Sequence, residues 1–196
     1  MRHLTKIILI SVIGCMFILL IGCAHTIMLQ PHIDVGDAVG LLKGKKAVIF
    51  IPSDVLAKEY TSHSFFGGNI IIPLGSPVRD LTLETFLPFY DQVTSISAKN
   101  YEGTGHLIEV DIVNFEVDQG LDVRATISCI ISDIEGQIFS GSWVGEGEGE
   151  AAAGFFSGSM AREQVRKSSN KALLQAFTML REAYIEFIQK NPNRFK

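Results

Sequence analysis

Disulfide chemistry is nearly closed to this chain: its 196 residues hold three cysteines, at positions 15, 23 and 129, and no Cys-x-x-Cys pair. Phosphate-binding P-loops, nucleophile elbows and paired-histidine helices are missing too. Those absences remove the local signatures of nucleotide, serine-hydrolase and zinc chemistry. They are modest evidence against an enzyme, because triads are assembled from distant segments and leave no local trace. Positive charge is in deficit, with 17 Lys and Arg against 21 Asp and Glu. That balance argues against nucleic acid as a partner and against an electrostatic grip on anionic headgroups. Long apolar runs are lacking as well: the one candidate, Ile7 to Ile21, is about 15 residues where a membrane-spanning helix needs roughly 20.

That short run is the most informative part of the chain. Arg2, His3 and Lys6 precede it, giving a charged segment followed by an apolar one, the order of an export signal. Leu20-Ile21-Gly22-Cys23 then resembles the lipobox of bacterial lipoproteins, with a Leu three residues before the cysteine. The resemblance implies cleavage between Gly22 and Cys23, a diacylglyceryl group on the Cys23 sulfur and an acyl chain on the new amino terminus. Each buried methylene is worth about 0.8 kcal/mol, so two or more chains hold where one does not. An uncleaved signal anchor, or an ordinary secretory signal with a chance cysteine, is the competing reading. Ala24 and His25, in place of an aspartate, resemble the default signal for transfer to the outer membrane, with the inner membrane as the alternative.

Cleavage leaves 174 residues, enough for one domain, and removes Arg2 and Lys6, so the formal charge falls to −6. Cys15 leaves with the signal and Cys23 becomes a thioether, so Cys129 has no partner for an intramolecular disulfide. It sits in the alternation Leu121, Val123, Ala125, Ile127, Cys129, Ile131, the apolar face of a strand, and reads as a small buried hydrophobe.

Residues 23–44 carry Pro31, Gly36, Gly40 and Gly44 with little periodicity and read as a lipidated N-terminus and tether; a single domain is expected over 45–196. Ala47 to Ile51 is a continuous apolar run, stopped by Pro52, that predicts a buried strand. Gly67-Gly68 predicts a hairpin between flanking strands. Leu81, Leu83, Phe86, Leu87 and Tyr90 predict a short helix, capped by Asp80 or Thr82 and ended or kinked near Leu87 by Pro88, leading to a strand over 93–98. From His106 to Glu146 the pattern is a three-stranded antiparallel meander. Its first strand needs a bulge near Ile112-Val113 to bring Phe115 and Val117 onto the face of Ile108 and Val110. Its third puts Phe139, Gly141, Trp143 and Gly145 on a face expected to look inward. Val165, Leu173, Phe177, Leu180, Tyr184 and Phe187 predict an amphipathic helix over 161–190 packed on the sheet. The fold class expected is α+β: a mainly antiparallel sheet packed by that long helix and one shorter helix.

Few residues invite chemistry. Glu146, Glu148 and Glu150 fall on one face of an extended strand at intervals of roughly 7 Å, which spreads carboxylates that a calcium ion needs gathered at about 2.3 to 2.6 Å. A solvated strand end is the expectation, with no metal and no cofactor. Gly147 to Ala152 also meets a relaxed dinucleotide pattern, but an antiparallel strand precedes it and its glutamates repel phosphate. Phe155 and Phe156, adjacent rings in a small-residue segment, are candidates for contact with a lipid surface or partner, against the plainer reading that one ring tucks under the last helix. No catalytic residue emerges: His25 and His32 lie in the tether, and His63 and His106 have no ligand spacing to each other.

The order of elements resembles the YajG-type family of small envelope lipoproteins, and more loosely the auxiliary lipoproteins of ABC-type lipid exporters. The matching features are Leu20 to Cys23, the Val48 to Pro52 strand, Gly75 through Phe86, the antiparallel strands, the Gly-Glu segment ahead of Ala172-Leu173-Leu174, and the ending Phe187 to Asn191. Pro88 and Phe155-Phe156 depart from that pattern. The resemblance implies an α+β domain with a role in envelope maintenance and no catalytic residues. The expectation is a non-enzymatic lipoprotein on the periplasmic face of the outer membrane that binds an envelope protein, with a homo-oligomer left open. An accessory role in binding or transporting a lipid or other apolar ligand, held between helix and sheet, is the alternative; a periplasmic hydrolase is the third.

Overall fold

The computed structural model describes residues 24–34, 40–65, 68–96, 105–149 and 158–195. Two sheets form from eight strands. A small sheet takes β1 (His25–Thr26), β4 (Gly68–Pro73) and β3 (Glu59–Phe65), in that order. A larger one runs β5 (Tyr90–Ile96), β2 (Leu42–Phe50), β6 (His106–Val117), β7 (Val123–Asp133), β8 (Gly136–Gly147). The helices are α1 (Ser53–Leu56), α2 (Gly75–Phe86) and α3 (Gly158–Lys190), with a short 3-10 turn at Pro192–Phe195. The architecture is the expected α+β one. Antiparallel ladders β3/β4, β6/β7 and β7/β8 hold most of the paired residues. The larger sheet is nonetheless mixed, because β2 lies parallel to both β5 and β6.

The meander follows the sequence closely. Ile112 pairs with Ile127 and Asn114 with Thr126, so Val113 is the extra residue of a bulge. Val113 is 56% exposed, while Phe115 and Val117 pack on the same core as Ile108, Val110 and Ile112. One inserted residue reverses the facing of every later side chain, and here it restores the apolar face.

On β8 the expected inward face meets α3. Phe139 and Trp143 stack with ring centroids 5.7 Å apart, and a β-carbon on Gly141 would lie 2.7 Å from the Trp143 ring. Further along, the helix backbone lies directly on the strand: a β-carbon on Gly145 would come within 1.9 Å of the Ala172 carbonyl oxygen, and one on Gly147 within 1.9 Å of the Ser168 carbonyl oxygen. Strand and helix therefore run in opposite directions, with two strand residues matched to one helical turn. The helix answers with small buried residues, Ala161, Ser168, Ser169, Ala172 and Ala176. Beyond them Phe177, Leu180 and Tyr184 enter the main core.

Two expectations fail. The shorter helix starts at Gly75, ahead of both Asp80 and Thr82, and has no side-chain cap. Pro77 is tolerated in its first turn, where an amide hydrogen has no partner to lose. Thr82 is interior, with its hydroxyl donating to the Val78 carbonyl at 2.6 Å. The helix does stop before Pro88, as expected, but Tyr90 lies outside it and opens β5, three residues ahead of the start expected for that strand.

The tether is the larger correction. Ile27, Leu29 and Ile33 are buried in the core cluster, and β1 pairs in parallel with β4, His25 opposite Ile70 and Thr26 opposite Ile71. Residues 26 to 34 form a strap along α3. The Gln30 amide donates to Asn170 Oδ1 at 3.2 Å, and Arg181 Nη1 donates to the Asp34 carbonyl at 2.6 Å. Glu84 of α2 grips its middle, accepting from the Ile33 amide and contacting the His32 ring, both at 2.9 Å. Low periodicity hid three apolar side chains that are enough to hold the segment down. β2 likewise begins at Leu42, inside the range assigned to the tether.

Candidate functional site

Cys23 and Gly22, the residues of the expected lipid attachment and cleavage, lie outside the described residues, as do Phe155, Phe156 and Glu150. The described chain begins one residue after Cys23, at Ala24, and is paired in a sheet by His25. Thr26 and Met28 line an open cleft with Ser159, Arg162 and Arg166 from the first three turns of α3. The strap and the start of the long helix thus meet at the end where the described chain begins. Exposed Met28 (61%) and Met160 (58%) stand at this end.

The acidic strand end has a structural role for its glycines and not for its carboxylates. Gly145 and Gly147 admit the helix, and the Gly149 amide donates to Asp122 Oδ1 at 2.6 Å. Glu146 and Glu148 point outward, 3.5 Å from Arg124 Nε and 4.0 Å from Lys171 Nζ respectively. Among the described residues no group of three or more histidines, cysteines or carboxylates could hold a metal ion.

Sequence reasoning missed a buried polar chain. The Tyr90 hydroxyl lies 2.8 Å from Nδ1 of His106 and 2.5 Å from the Tyr184 hydroxyl. Three distant elements, β5, β6 and α3, supply its members, so no spacing in the sequence could have announced it. Burial pushes both phenols up, Tyr90 further raised by its neighbour Tyr184, while the hydrogen bond from Tyr90 works against the rise at Tyr184. Burial lowers the His106 imidazole, helped by Lys45 and opposed by Asp133. All three groups are therefore held neutral and satisfied by one another, an arrangement suited to a core that must contain polar atoms. Phe86, Phe89 and Phe139 surround Tyr184 at centroid distances of 5.1 to 5.6 Å. The Cys129 thiol is likewise interior and pushed up by burial, so it is inert as a nucleophile, as its place in the strand alternation indicated.

The space between α3 and the sheet, where the alternative reading places an apolar ligand, holds aromatic side chains of the protein itself. Phe139 stacks there on Trp143 and packs against Tyr184 and Phe187, and Gly145 and Gly147 below them touch helix backbone. What remains open is a surface groove of about 830 Å³ between β8 and the outer side of α3, lined by Glu146, Lys171, Leu174, Gln175, Met179 and Glu182. Its mixed charge suits a polypeptide better than a hydrocarbon chain. Gln175 reaches across it to accept from the Glu146 amide at 2.7 Å.

No family model and no curated protein matches this chain. Among solved structures, protein XCC0632 from Xanthomonas campestris, of family DUF330, is similar over 87% of this chain and 99% of its own, at 12% identity and a TM-score of 0.57. A hypothetical protein, CT253, from Chlamydia trachomatis covers 73% of this chain and 96% of its own, at 11% identity and a TM-score of 0.43. A putative lipoprotein from Caulobacter crescentus covers 59% and 83%, at 7% identity and a TM-score of 0.38. At such identities what is shared is architecture, and the chain has the fold of the Xanthomonas DUF330 protein across nearly its whole length.

Proposed function

We propose that this chain is a lipid-anchored protein of the bacterial envelope that acts without catalysis, by binding another envelope protein close to a membrane. The observation that carries the reading is the junction of Cys23 with the domain: a lipobox cysteine followed after one residue by a strand locked into a sheet. An anchor joined to the body in that way fixes the body to the bilayer with little slack. The Tyr90, His106 and Tyr184 chain and Cys129 are taken up by the core, which supports a role without catalysis for these groups. Among the described residues no helix is long and apolar enough to cross a membrane. The finer assignments are the periplasmic face of the outer membrane and kinship with the YajG-type lipoproteins, both supported by the sequence from Leu20 to His25 and by the order of elements.

The test is membrane fractionation with intact-mass analysis. The extracted protein is expected to carry a diacylglyceryl group and an acyl chain on a species beginning at Cys23, and Cys23→Ser is expected to abolish both. Normal processing and unchanged sedimentation of Cys23→Ser would overturn the anchor. For the partner, crosslinking in intact envelopes at native expression is expected to give a reproducible heteromeric adduct; none in repeated experiments would overturn binding as the role.

A further inference from the structure

The geometry points to a membrane-apposed surface on this domain: the end formed by Thr26, Met28, Met160, Arg162 and Arg166 rests on the lipid headgroups, and α3 rises away from the bilayer. This rests on the attachment at Cys23. Three residue steps separate Cys23 from Thr26, which limits their separation to roughly 10 Å even when fully extended. Thr26 and Met28 share a cleft with Ser159, Arg162 and Arg166, so the first turns of α3 are brought to the same level.

The strap then gives the direction of the helix. Gln30 meets Asn170 and Asp34 meets Arg181, so each step away from the anchor is a step up α3. A helix of 33 residues spans about 50 Å, which carries Lys190 and the turn at Ile134 toward the opposite end. Composition agrees with that polarity. Met28 and Met160 are exposed at the anchored end, and interfacial side chains of this kind bury to a depth of roughly 5 to 10 Å. Arg162 and Arg166 stand there with one carboxylate, Glu163, which Arg166 holds at 2.7 and 2.9 Å, so Arg162 is the cation in excess although the chain as a whole is acidic. The outer arc of α3 above them carries Lys171, Glu182, Glu186 and Lys190, with Met179 as its exposed large apolar residue. The carboxylates of Asp118, Asp122 and Glu116 cluster by the Leu121 turn, which is bonded to Ser168, ten residues up the helix. That is about 3 Å along the helix beyond Arg166 and about 9 Å beyond Arg162, so with a Debye length of roughly 8 Å at physiological salt their repulsion of anionic headgroups is largely screened at Met160 and Arg162 and not at Arg166.

The experiment uses the full-length, natively lipidated protein in vesicles of phosphatidylethanolamine and phosphatidylglycerol. Environment-sensitive fluorophores are attached at Met28→Cys, Met160→Cys or Ile134→Cys; buried Cys129 is protected from the reagent. Vesicle flotation comes first. Failure to float overturns the anchor and this inference with it. Given flotation, nitroxide lipids are expected to quench the labels at 28 and 160 several-fold more than the label at 134, and Arg162→Glu combined with Arg166→Glu is expected to reduce the quenching at 160. Flotation with equal quenching at all three sites, or stronger quenching at 134, overturns the inference and leaves the anchor standing.

Discussion

Gly147 lies so close to Ser168 that the serine carbonyl oxygen occupies the place where any larger residue would put its β-carbon, 1.9 Å away. A backbone oxygen cannot swing aside as a side chain can, so helix and strand must part to admit a methyl group. Gly147→Ala is expected to destabilise the protein by about 3 kcal/mol or more, at the upper end of overpacking costs. Ser142→Ala, at an exposed position on the same strand, is expected to stay within about 0.5 kcal/mol. Urea denaturation of the two variants beside the wild type checks both.

Removing the bulge tests the register of the meander. Deletion of Val113 leaves the β6/β7 pairs in place, Ile112 opposite Ile127 and Asn114 opposite Thr126, and keeps Phe115 and Val117 on the core face of a now regular strand. The shortened chain is expected to reach the native state and melt cooperatively, as followed by circular dichroism; failure to fold would show that the pairing does not run as the bulge requires. Val113→Thr keeps the extra residue and is expected to melt within a few degrees of the wild type.

The strap separates a docked segment from a tether. Ile27→Ala and Leu29→Ala each delete buried methyl groups and are expected to cost about 2 to 4 kcal/mol. In a tether both substitutions would be silent. Thermal unfolding of the variants, with limited proteolysis across residues 24 to 34, distinguishes the two.

The pH response depends on His106. Burial lowers its folded pKa below the unfolded value of about 6.5, so the unfolded chain binds the proton more readily. The contribution to stability is thus complete above about pH 6.5 and declines as pH falls through it, levelling off once the folded imidazole also protonates. Wild-type stability measured from pH 7.5 down to 5.5 is expected to drop more steeply than that of His106→Gln. Equal slopes would show that another group dominates.

Much of this fold was legible because the clues were local. Period-two alternation gave β6 to β8, the switch of faces gave the bulge at Val113, and the spacing from Val165 to Phe187 gave α3. The helix over 75–86 was misplaced at its start because Gly75, Ser76 and Pro77 carry no apolar periodicity and no side-chain cap marks its N-terminus. The strap was lost because Ile27, Leu29 and Ile33 are too few to register against Pro31 and the later glycines. Parallel pairing of β2 with β5 and β6 joins segments far apart in the chain, as does the contact of Tyr90 with His106 and Tyr184, and spacing cannot encode either. The triple glycine at 145, 147 and 149 was visible but was read through its glutamates. Its physical content was the bare backbone between them.

β8 is the outermost strand of the larger sheet, and the Gln175 side chain already occupies the Glu146 amide that another chain would need to extend the ladder there. Ser140 and Ser142 give the remaining rim a polar, unattractive contour. Molecules crowded side by side in two dimensions collide often, and a rim partly stoppered by its own helix discourages those collisions from seeding fibrils.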